Sequence, residues 1–235
     1  MVDVAARGPA RLHFEELRFL VFGRALPAVL FALLGYRVLL NLVAQVHGLP
    51  NPPTVASIAR GPLPTALYFC FCSIPVAIYL GRPRARAHDG RLVARCAAFT
   101  GTLMLIVVGA LPAPNLLHLP SQAEWVATPL AILAFALAVY GLVHLRRNLS
   151  IIPEARSVVT SGPYRLIRHP LYGCEILAAL ATVLARPGLW AVVAFGPYVA
   201  VQITRANFEE NLLSRTFAQY REYARGTYRL VPFIW

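Results

Sequence analysis

The amino-acid sequence predicts an all-α integral membrane protein with four long transmembrane helices, a C-terminal helical hairpin and a cytoplasmic C-terminal helix. Three observations predict this class. Hydrophobic residues make up 58% of the 235 residues and charged residues only 14%, whereas a soluble domain carries about 25% charged residues. Apolar runs of membrane-spanning length recur along the chain. Arginines flank these runs and give the lysine-free chain a net charge of +12.

Six apolar runs account for the helices, against about 20 residues needed to cross a bilayer. They cover residues 17–44, 63–81, 92–111, 124–145, 171–185 and 188–204. Arg24 and Arg37 interrupt the first run and are interpreted as side chains that reach the interface. The last two runs form a hairpin. Its first arm reaches only ~22 Å of a ~30 Å core, so it is either re-entrant or begins in the interface.

The arginine distribution predicts the orientation of the chain. Segments 82–91 and 146–168 are rich in arginine, whereas 45–62 has one arginine and 112–123 has none. Short cytoplasmic loops carry the excess of positive charge. Both termini and both basic segments are therefore predicted to be cytoplasmic, in a multi-pass protein of a bacterial inner membrane. One membrane domain, residues 1–235, is expected, with spans over 1–145 and a catalytic region over 146–235.

Composition also excludes classes of function. A nucleic-acid binder can be equally basic, but here the arginines flank apolar runs instead of forming one stripe, so no nucleic-acid partner is expected. The four cysteines lack the paired spacing of a zinc site and lie in or beside apolar segments. They are interpreted as packing residues, with no metal and no disulfide.

The chemistry is expected where polar residues concentrate near the end of the chain. Ionisable groups beside membrane spans are costly and indicate a functional site. Pro170 suits the first turn of a helix, which places His169 at its N-cap, where free backbone N–H groups can bind an anion. Tyr164 and Tyr172 offer rings for an adenine, a ribose or a cationic centre, and Glu175 shares a helical face with Tyr172.

A second group follows the hairpin. Arg205 and Glu209 are four residues apart and can face one cavity, and Leu213, Phe217 and Tyr220 continue the same helical face. The alternative is an ordinary helix ion pair, worth only about 0.3–0.5 kcal/mol when exposed. The clustering of His, Tyr, Arg and Glu at one membrane face favours the functional interpretation.

Several motifs together resemble the isoprenylcysteine carboxyl methyltransferase family, which lies within a wider group that includes membrane phospholipid methyltransferases. The resemblance covers about residues 140–235. It rests on Val159-Thr160-Ser161-Gly162-Pro163-Tyr164, Arg168-His169-Pro170-x-Tyr172, Arg205-xxx-Glu209-Glu210-xx-Leu213, Phe217-xx-Tyr220-xx-Tyr223 and Arg229-xx-Pro232.

The resemblance implies S-adenosylmethionine as methyl donor. It implies that Arg205 binds the acceptor carboxylate and that Arg205 and Glu209 are the catalytic residues. The cofactor contacts that it implies are Arg156, Ser157, Val158, Val159, Tyr164, His169, Pro170, Leu171, Tyr172 and Glu209. One departure concerns Glu154-Ala155-Arg156, where the acidic and histidine-rich run expected of eukaryotic members is missing.

Two other functions are weighed. Membrane sterol reductases also carry an Arg-His-Pro-x-Tyr motif, and an NADPH-dependent reductase is the alternative, although such proteins are longer. A non-catalytic scaffold leaves the motif cluster without a purpose. The acceptor stays open: a prenylcysteine carboxylate, a phospholipid amine or another hydrophobic acid would each fit. The expected partners are a lipophilic small molecule or prenylated acceptor and the membrane lipid, and no oligomeric state is predicted.

Overall fold

The computed structural model describes residues 9–110 and 122–233. Within these ranges the chain is almost entirely helical, which confirms the predicted class. The N-terminal tail and most of the 112–123 loop, whose orientation the sequence predicts, lie outside the described residues. The end of the third apolar run at Pro112 and Pro114 lies there as well.

The helices follow the apolar runs closely. A π-helical turn, Phe19–Ala25, joins the first two helices, and single 3-10 turns lie at Arg146–Asn148 and Gly162–Arg165. The α-helices are α1 Pro9–Arg18, α2 Leu26–His47, α3 Val55–Arg60, α4 Pro62–Gly81, α5 Leu92–Ala110, α6 Gln122–Leu145, α7 Pro170–Ala185, α8 Leu189–Thr216 and α9 Tyr220–Arg225.

Among the described residues, four helical segments are long and apolar enough to cross a membrane. They are Phe14–His47, Val55–Gly81, Trp125–Asn148 and Leu189–Thr216, and the shorter apolar helices are Leu92–Met104 and Pro170–Ala185. The set differs from the prediction in two respects. Over its described residues, the third predicted run, 92–111, is one of the shorter apolar helices. The second arm of the hairpin is part of a single helix of 28 residues, α8. Arg205 and Glu209 lie within this helix, beyond the apolar run.

The helices pack in an open arc rather than in chain order. Proceeding around it, α2 packs on α4, α4 on α6, α6 on α7, α7 on α8, and α8 on α5. Within the described residues, α5 therefore packs mainly on α8 rather than on its chain neighbours α4 and α6. Residues of α2 and α5, the two ends of this series, line the same cavity.

The two arginine-rich segments meet at one end of the bundle. Strands β1 (Ala87–His88) and β2 (Glu154–Ala155) pair antiparallel there. Glu154 is ion-paired with Arg156 at 2.6 Å and with Arg82 at 3.4 Å. Burial raises the pKa of Glu154. A hydrogen bond from Ser150 and the charges of the two arginines lower it by more, so the pKa lies below its ordinary value. Both segments thus lie on the same side of the membrane, as the prediction requires.

Arg24 belongs to the same end of the bundle. Its guanidinium donates to the carbonyl oxygen of Arg82, at 3.1 Å from Nε and 2.8 Å from Nη2. This contact carries the side chain out of the apolar part of the first run, in agreement with its interpretation as an interfacial residue.

The predicted continuous stripe beyond Glu209 is wrong. Helix α8 ends at Thr216, and Phe217 has extended backbone angles, φ −126° and ψ 115°. Tyr220 begins the separate helix α9. Both aromatic rings instead pack on Ala155 of β2 in a small core. The chain turns here because burying these rings against the paired strands β1 and β2 outweighs one more turn of exposed helix.

Candidate active site

The site is built around the first residues of α7. His169 is the N-cap and Pro170 is the first helical residue, as predicted. The C-terminal segment folds back across this point. The backbone N–H of Arg168 donates to the Tyr228 carbonyl at 2.8 Å, and that of His169 to the Arg229 carbonyl at 3.0 Å. The end of the chain therefore clamps the N-terminus of α7.

The Gly162–Tyr164 turn lies beside this clamp. Gly162 has φ +59°, and a Cβ atom there would overlap the ring of His144. Glycine is thus required by both the backbone angle and the contact. Tyr164 is buried, and its carbonyl accepts a 2.7 Å hydrogen bond from the Tyr223 hydroxyl. Burial, followed by the nearby charge of Glu209, raises the pKa of Tyr164, so this ring stays neutral.

Glu210 connects the elements of the clamp. Its carboxylate accepts hydrogen bonds from Arg168 Nε at 2.9 Å and from His169 Nε2 at 3.1 Å. Arg229 Nε lies 3.4 Å from the same oxygen. The Arg168 guanidinium also donates to the carbonyls of Ala224 and Thr227. One carboxylate on α8 thus holds both the start of α7 and the C-terminal segment.

His169 lies between two carboxylates. Its Nε2 faces Glu210, and its Nδ1 is 3.6 Å from Glu209 Oε2. Burial lowers the pKa of His169, but the two glutamates raise it more, and the net shift is upward. When the ring is protonated, it can direct one N–H toward each glutamate.

Tyr172 separates two halves of the site. Its hydroxyl donates to Glu209 Oε2 at 3.1 Å, and its ring stacks on His169 with 5.5 Å between centroids. The Arg205 guanidinium lies over the same ring, 4.8 Å from its centroid. Glu209 and Arg205 therefore have different partners on either side of Tyr172, and the simple helix ion pair considered from the sequence is not the contact that forms.

Arg205 is 5% exposed and belongs to a buried polar group of α7 and α8. Its Nη1 donates to Gln202 Oε1 at 2.7 Å and lies 3.6 Å from Glu175 Oε2. The Gln202 amide donates in turn to Glu175 and to the Tyr198 hydroxyl. Nε of Arg205 has no hydrogen-bond partner within the described part of the chain.

A cavity of about 690 Å³ opens from this polar group into the bundle. Arg205, Glu175 and Tyr198 belong to its lining, and most of the other lining residues are apolar side chains of α2, α4, α5, α6, α7 and α8. Cavities of this size bind molecules of drug-like size.

The predicted site residues fall into two groups. Tyr164, His169, Tyr172, Glu209 and Arg205 come together around the start of α7, and Pro170 is buried there. Leu171 lines the membrane cavity. These positions agree with one composite site.

The 156–159 stretch belongs to a different set of contacts. Arg156 donates to the Pro83 carbonyl at 3.0 Å and to Glu154 at 2.6 Å. Ser157 donates to Asn148, and Val158 packs against the small core under β2. Val159 is half-buried. The Arg156 side chain thus fastens the two basic segments together, and among the described residues none of its hydrogen bonds or ion pairs goes to His169 or Tyr172.

Sequence reasoning did not single out several residues of the site. Glu210 appears in the quoted motif without a role, and Glu175 is noted only for sharing a face with Tyr172. The missed residues are Arg168, Glu175, Tyr198, Gln202 and Glu210. The helical spacing of Tyr198, Gln202 and Arg205 is the signal that could have found two of them.

The residues present fit a cationic sulfonium cofactor. Glu209 is 33% exposed in its side chain, so its carboxylate can be reached by a ligand, and aromatic rings at Tyr164 and Tyr172 flank it. Rings and a carboxylate are the groups that attract a cation. Within the described residues, no three His, Cys, Asp or Glu side chains come close enough to hold a metal ion.

Part of the chain is similar to a known protein family. Residues 123–220 match the model of the phospholipid methyltransferase family. The matched segment runs from α6 to α9 and contains every predicted site residue. The likeness supports the broad group of membrane methyltransferases, within which the isoprenylcysteine family also falls.

Two curated proteins are similar over shorter stretches. The cobalt-zinc-cadmium resistance protein CzcN of Cupriavidus metallidurans is 38% identical over 81 residues, 32% of this chain and 36% of that protein. The nickel-cobalt-cadmium resistance protein NccN of Alcaligenes xylosoxydans xylosoxydans is 33% identical over 84 residues, 34% of this chain and 38% of that protein. The chain thus matches little more than a third of each relative's length.

Proposed function

We propose that this protein is an S-adenosylmethionine-dependent methyltransferase that acts on a lipophilic acceptor at the membrane face, with a carboxylate as the group methylated. One observation carries the proposal. Tyr172 holds Glu209 on one side and Arg205 on the other, and the Arg205 side opens into an apolar cavity. A site for a cationic donor and a site for an anionic acceptor are thus adjacent but distinct.

The donor side consists of Glu209, His169, Tyr172 and Tyr164. S-adenosylmethionine would supply a methyl group bound to a cationic sulfur. An acceptor oxygen would bond to the methyl carbon in one displacement, and the electron pair of the broken carbon–sulfur bond would stay on sulfur. The Glu209 carboxylate attracts the sulfonium charge. The first turn of α7 offers backbone N–H groups to an amino-acid carboxylate.

The acceptor side consists of Arg205 and the cavity. Gln202 and Glu175 engage Nη1 of Arg205, which fixes the guanidinium plane. The edge formed by Nε and Nη2 makes no hydrogen bond to the described residues. Two parallel N–H groups on one edge match a carboxylate. A carboxylate is already ionised at neutral pH, so alignment and exclusion of water suffice and no general base is needed.

The cavity supports a lipophilic acceptor. Residues of six helices line it, and Arg205 is among them, so an apolar molecule bound there would bring its carboxylate to Arg205. The donor would bind beside Glu209, whose side chain is 33% exposed. The two substrates would then meet at Tyr172.

Ligand titration tests the proposal against the reductase alternative. S-adenosylhomocysteine added to purified protein should raise the unfolding midpoint, because a ligand selective for the folded state stabilises it. NADPH should leave the midpoint unchanged. A shift with NADPH and none with S-adenosylhomocysteine would establish the reductase instead.

A further inference from the structure

One wall of the cavity is a row of small side chains. Cys174, Ala178 and Thr182 of α7 line it at four-residue intervals, so they lie on one helix face at successive turns. Ala191 and Ala194 of α8 line the adjoining wall. Each step of four residues advances ~6 Å along the helix. These residues mark the bottom of a groove along α7, and the position of each one gives a distance along the groove.

Large rings from the other helices also line the cavity. They are Phe31 of α2, Phe71 of α4 and Phe135 of α6. The strip of small residues on α7 leaves room beside it in which a single extended chain can lie.

Charged residues line the cavity near both termini of α7. Glu175 lies near the start of the helix beside Arg205, and Arg186 is its C-cap. Glu175 and Arg186 are eleven residues apart on the same helix, which corresponds to ~17 Å. Arg205 is 5% exposed, and its Nε has no partner among the described residues, so an unmet hydrogen-bond donor lies at the head of the groove.

We propose that Ala178 and Thr182 set the length of the acceptor's apolar tail, which runs as a single chain from Arg205 along α7 toward Arg186. The inference rests on the proposed methyltransferase function and specifies its acceptor. A tail of up to ~17 Å fits the groove. A lipid with two acyl chains is larger than the drug-sized molecules that a cavity of about 690 Å³ encloses.

Chain-length dependence tests the proposal. Each methylene removed from water contributes ~0.8 kcal/mol, or about fourfold in affinity. Affinity for straight-chain carboxylic acids of increasing length should rise at this rate and level off when the groove is full. Binding is measured by calorimetry on the full-length protein in detergent, without cofactor, and methyl transfer to the same acids is measured separately.

Two variants should move the levelling-off point by different amounts. Ala178→Phe blocks the groove ~4.5 Å beyond Glu175, and Thr182→Phe blocks it ~10.5 Å beyond. The longest tail that still gains affinity should therefore differ by ~6 Å between them. Ala185→Phe is the matched control, since Ala185 is an exposed residue of α7 outside the cavity lining, and it should keep the wild-type profile.

The outcomes are distinct. If Ala178→Phe does not fold, Ala178→Leu replaces it and should give a smaller shift in the same direction. Equal losses at all chain lengths, the same shift in the Ala185 control, or displacement of the bound acid by a two-chain phospholipid would each overturn the proposal. Shifted binding profiles without any methyl transfer would support the tail-length proposal and refute the methyltransferase alone.

Discussion

Tyr172 contacts two oppositely charged residues of the site through different parts of its side chain. Its hydroxyl orients Glu209, whereas its ring face lies under the Arg205 guanidinium. A guanidinium over an aromatic face gains roughly 0.5–2 kcal/mol, depending on desolvation. The same side chain therefore fixes a carboxylate on the proposed donor side and a cation on the proposed acceptor side.

We predict that variants of Arg205 and Glu209 fail in different ways. Glu209→Gln removes a charge that favours the sulfonium, so binding of S-adenosylmethionine should weaken more than binding of its neutral-sulfur product. Arg205→Ala should keep cofactor affinity and lose turnover, because the acceptor loses its positioning partner. A charge-assisted contact is worth about 1.5–3 kcal/mol, or roughly 10- to 150-fold. Cofactor affinity and turnover are measured on both variants.

Because Arg205 is buried, this experiment needs a control for loss of stability. Removing Arg205 leaves Glu175 without its ion-pair partner, which destabilises a buried pair. The double variant Glu175→Gln with Arg205→Gln removes both charges and should restore stability without restoring turnover. Similar mild defects in both single variants, with activity kept, would contradict the assignment and leave the residues only structural roles.

At the scale of elements, the turn before α7 depends on a single glycine. Gly162 has φ +59° and lies against the ring of His144 near the end of α6. Because α6 also packs on α7, this contact positions the turn that carries Tyr164. A side chain at residue 162 would strain the backbone and displace His144 together.

We predict that Gly162→Ala destabilises the protein by at least ~1–2 kcal/mol, the cost of placing an L-residue in the left-handed region. The measurement is the free energy of unfolding in detergent, together with cofactor affinity. Gly196→Ala is the matched control, since no atom lies within 4 Å of the position its Cβ would take. In the interior of α8 that change should be neutral or stabilising by up to ~1 kcal/mol. Equal stability of the two variants would contradict this role of the turn.

The helices themselves follow from the sequence, but the end of α8 does not. Apolar runs and Pro170 place the helices and the start of α7 correctly. The same spacing rule extends α8 too far, because it cannot weigh one more helical turn against burial of Phe217 and Tyr220 on Ala155. Those partners lie about 60 residues away along the chain, so local periodicity carries no information about them.

At the scale of the whole molecule, the order of packing decides which polar residues meet. The motifs predict that Arg205 and Glu209 act near His169, and the structure brings these residues together around Tyr172. Sequence spacing could not show that Glu175 pairs with Arg205, because this contact depends on how α7 lies on α8. For the same reason it could not show that Arg156 binds Glu154 and Pro83.

Two charged groups, His169 at the start of α7 and Glu154 in β2, predict that the stability of the protein depends on pH. The pKa of His169 is raised in the folded state, so its stabilising contribution is complete below the ordinary histidine value of about 6.5. The contribution is lost as the pH rises through the higher folded value. The pKa of Glu154 is lowered, so its contribution is present above the ordinary glutamate value and is lost as the pH falls.

We therefore expect the unfolding midpoint of the wild type to fall on both sides of neutral pH. The stability difference between wild type and His169→Gln should shrink as the pH rises above about 6.5. The difference between wild type and Glu154→Gln should shrink as the pH falls below about 4.3. Differences that stay constant with pH would show that neither group titrates differently in the folded and unfolded chains.

The orientation of the molecule gives the last prediction. The pairing of β1 with β2 places both arginine-rich segments on one side of the membrane, and the positive-inside rule predicts that this side is cytoplasmic. A cysteine introduced at Gly90, which is exposed beside β1, should be protected from an impermeant thiol reagent in intact cells. A cysteine at Val55, 86% exposed in the 45–62 segment, should react readily. The native cysteines lie within α4, α5 and α7 and serve as the unmodified background. The reverse labelling pattern would invert the topology and place Glu209 and the proposed donor site outside the cell, where a cytoplasmic cofactor could not reach them.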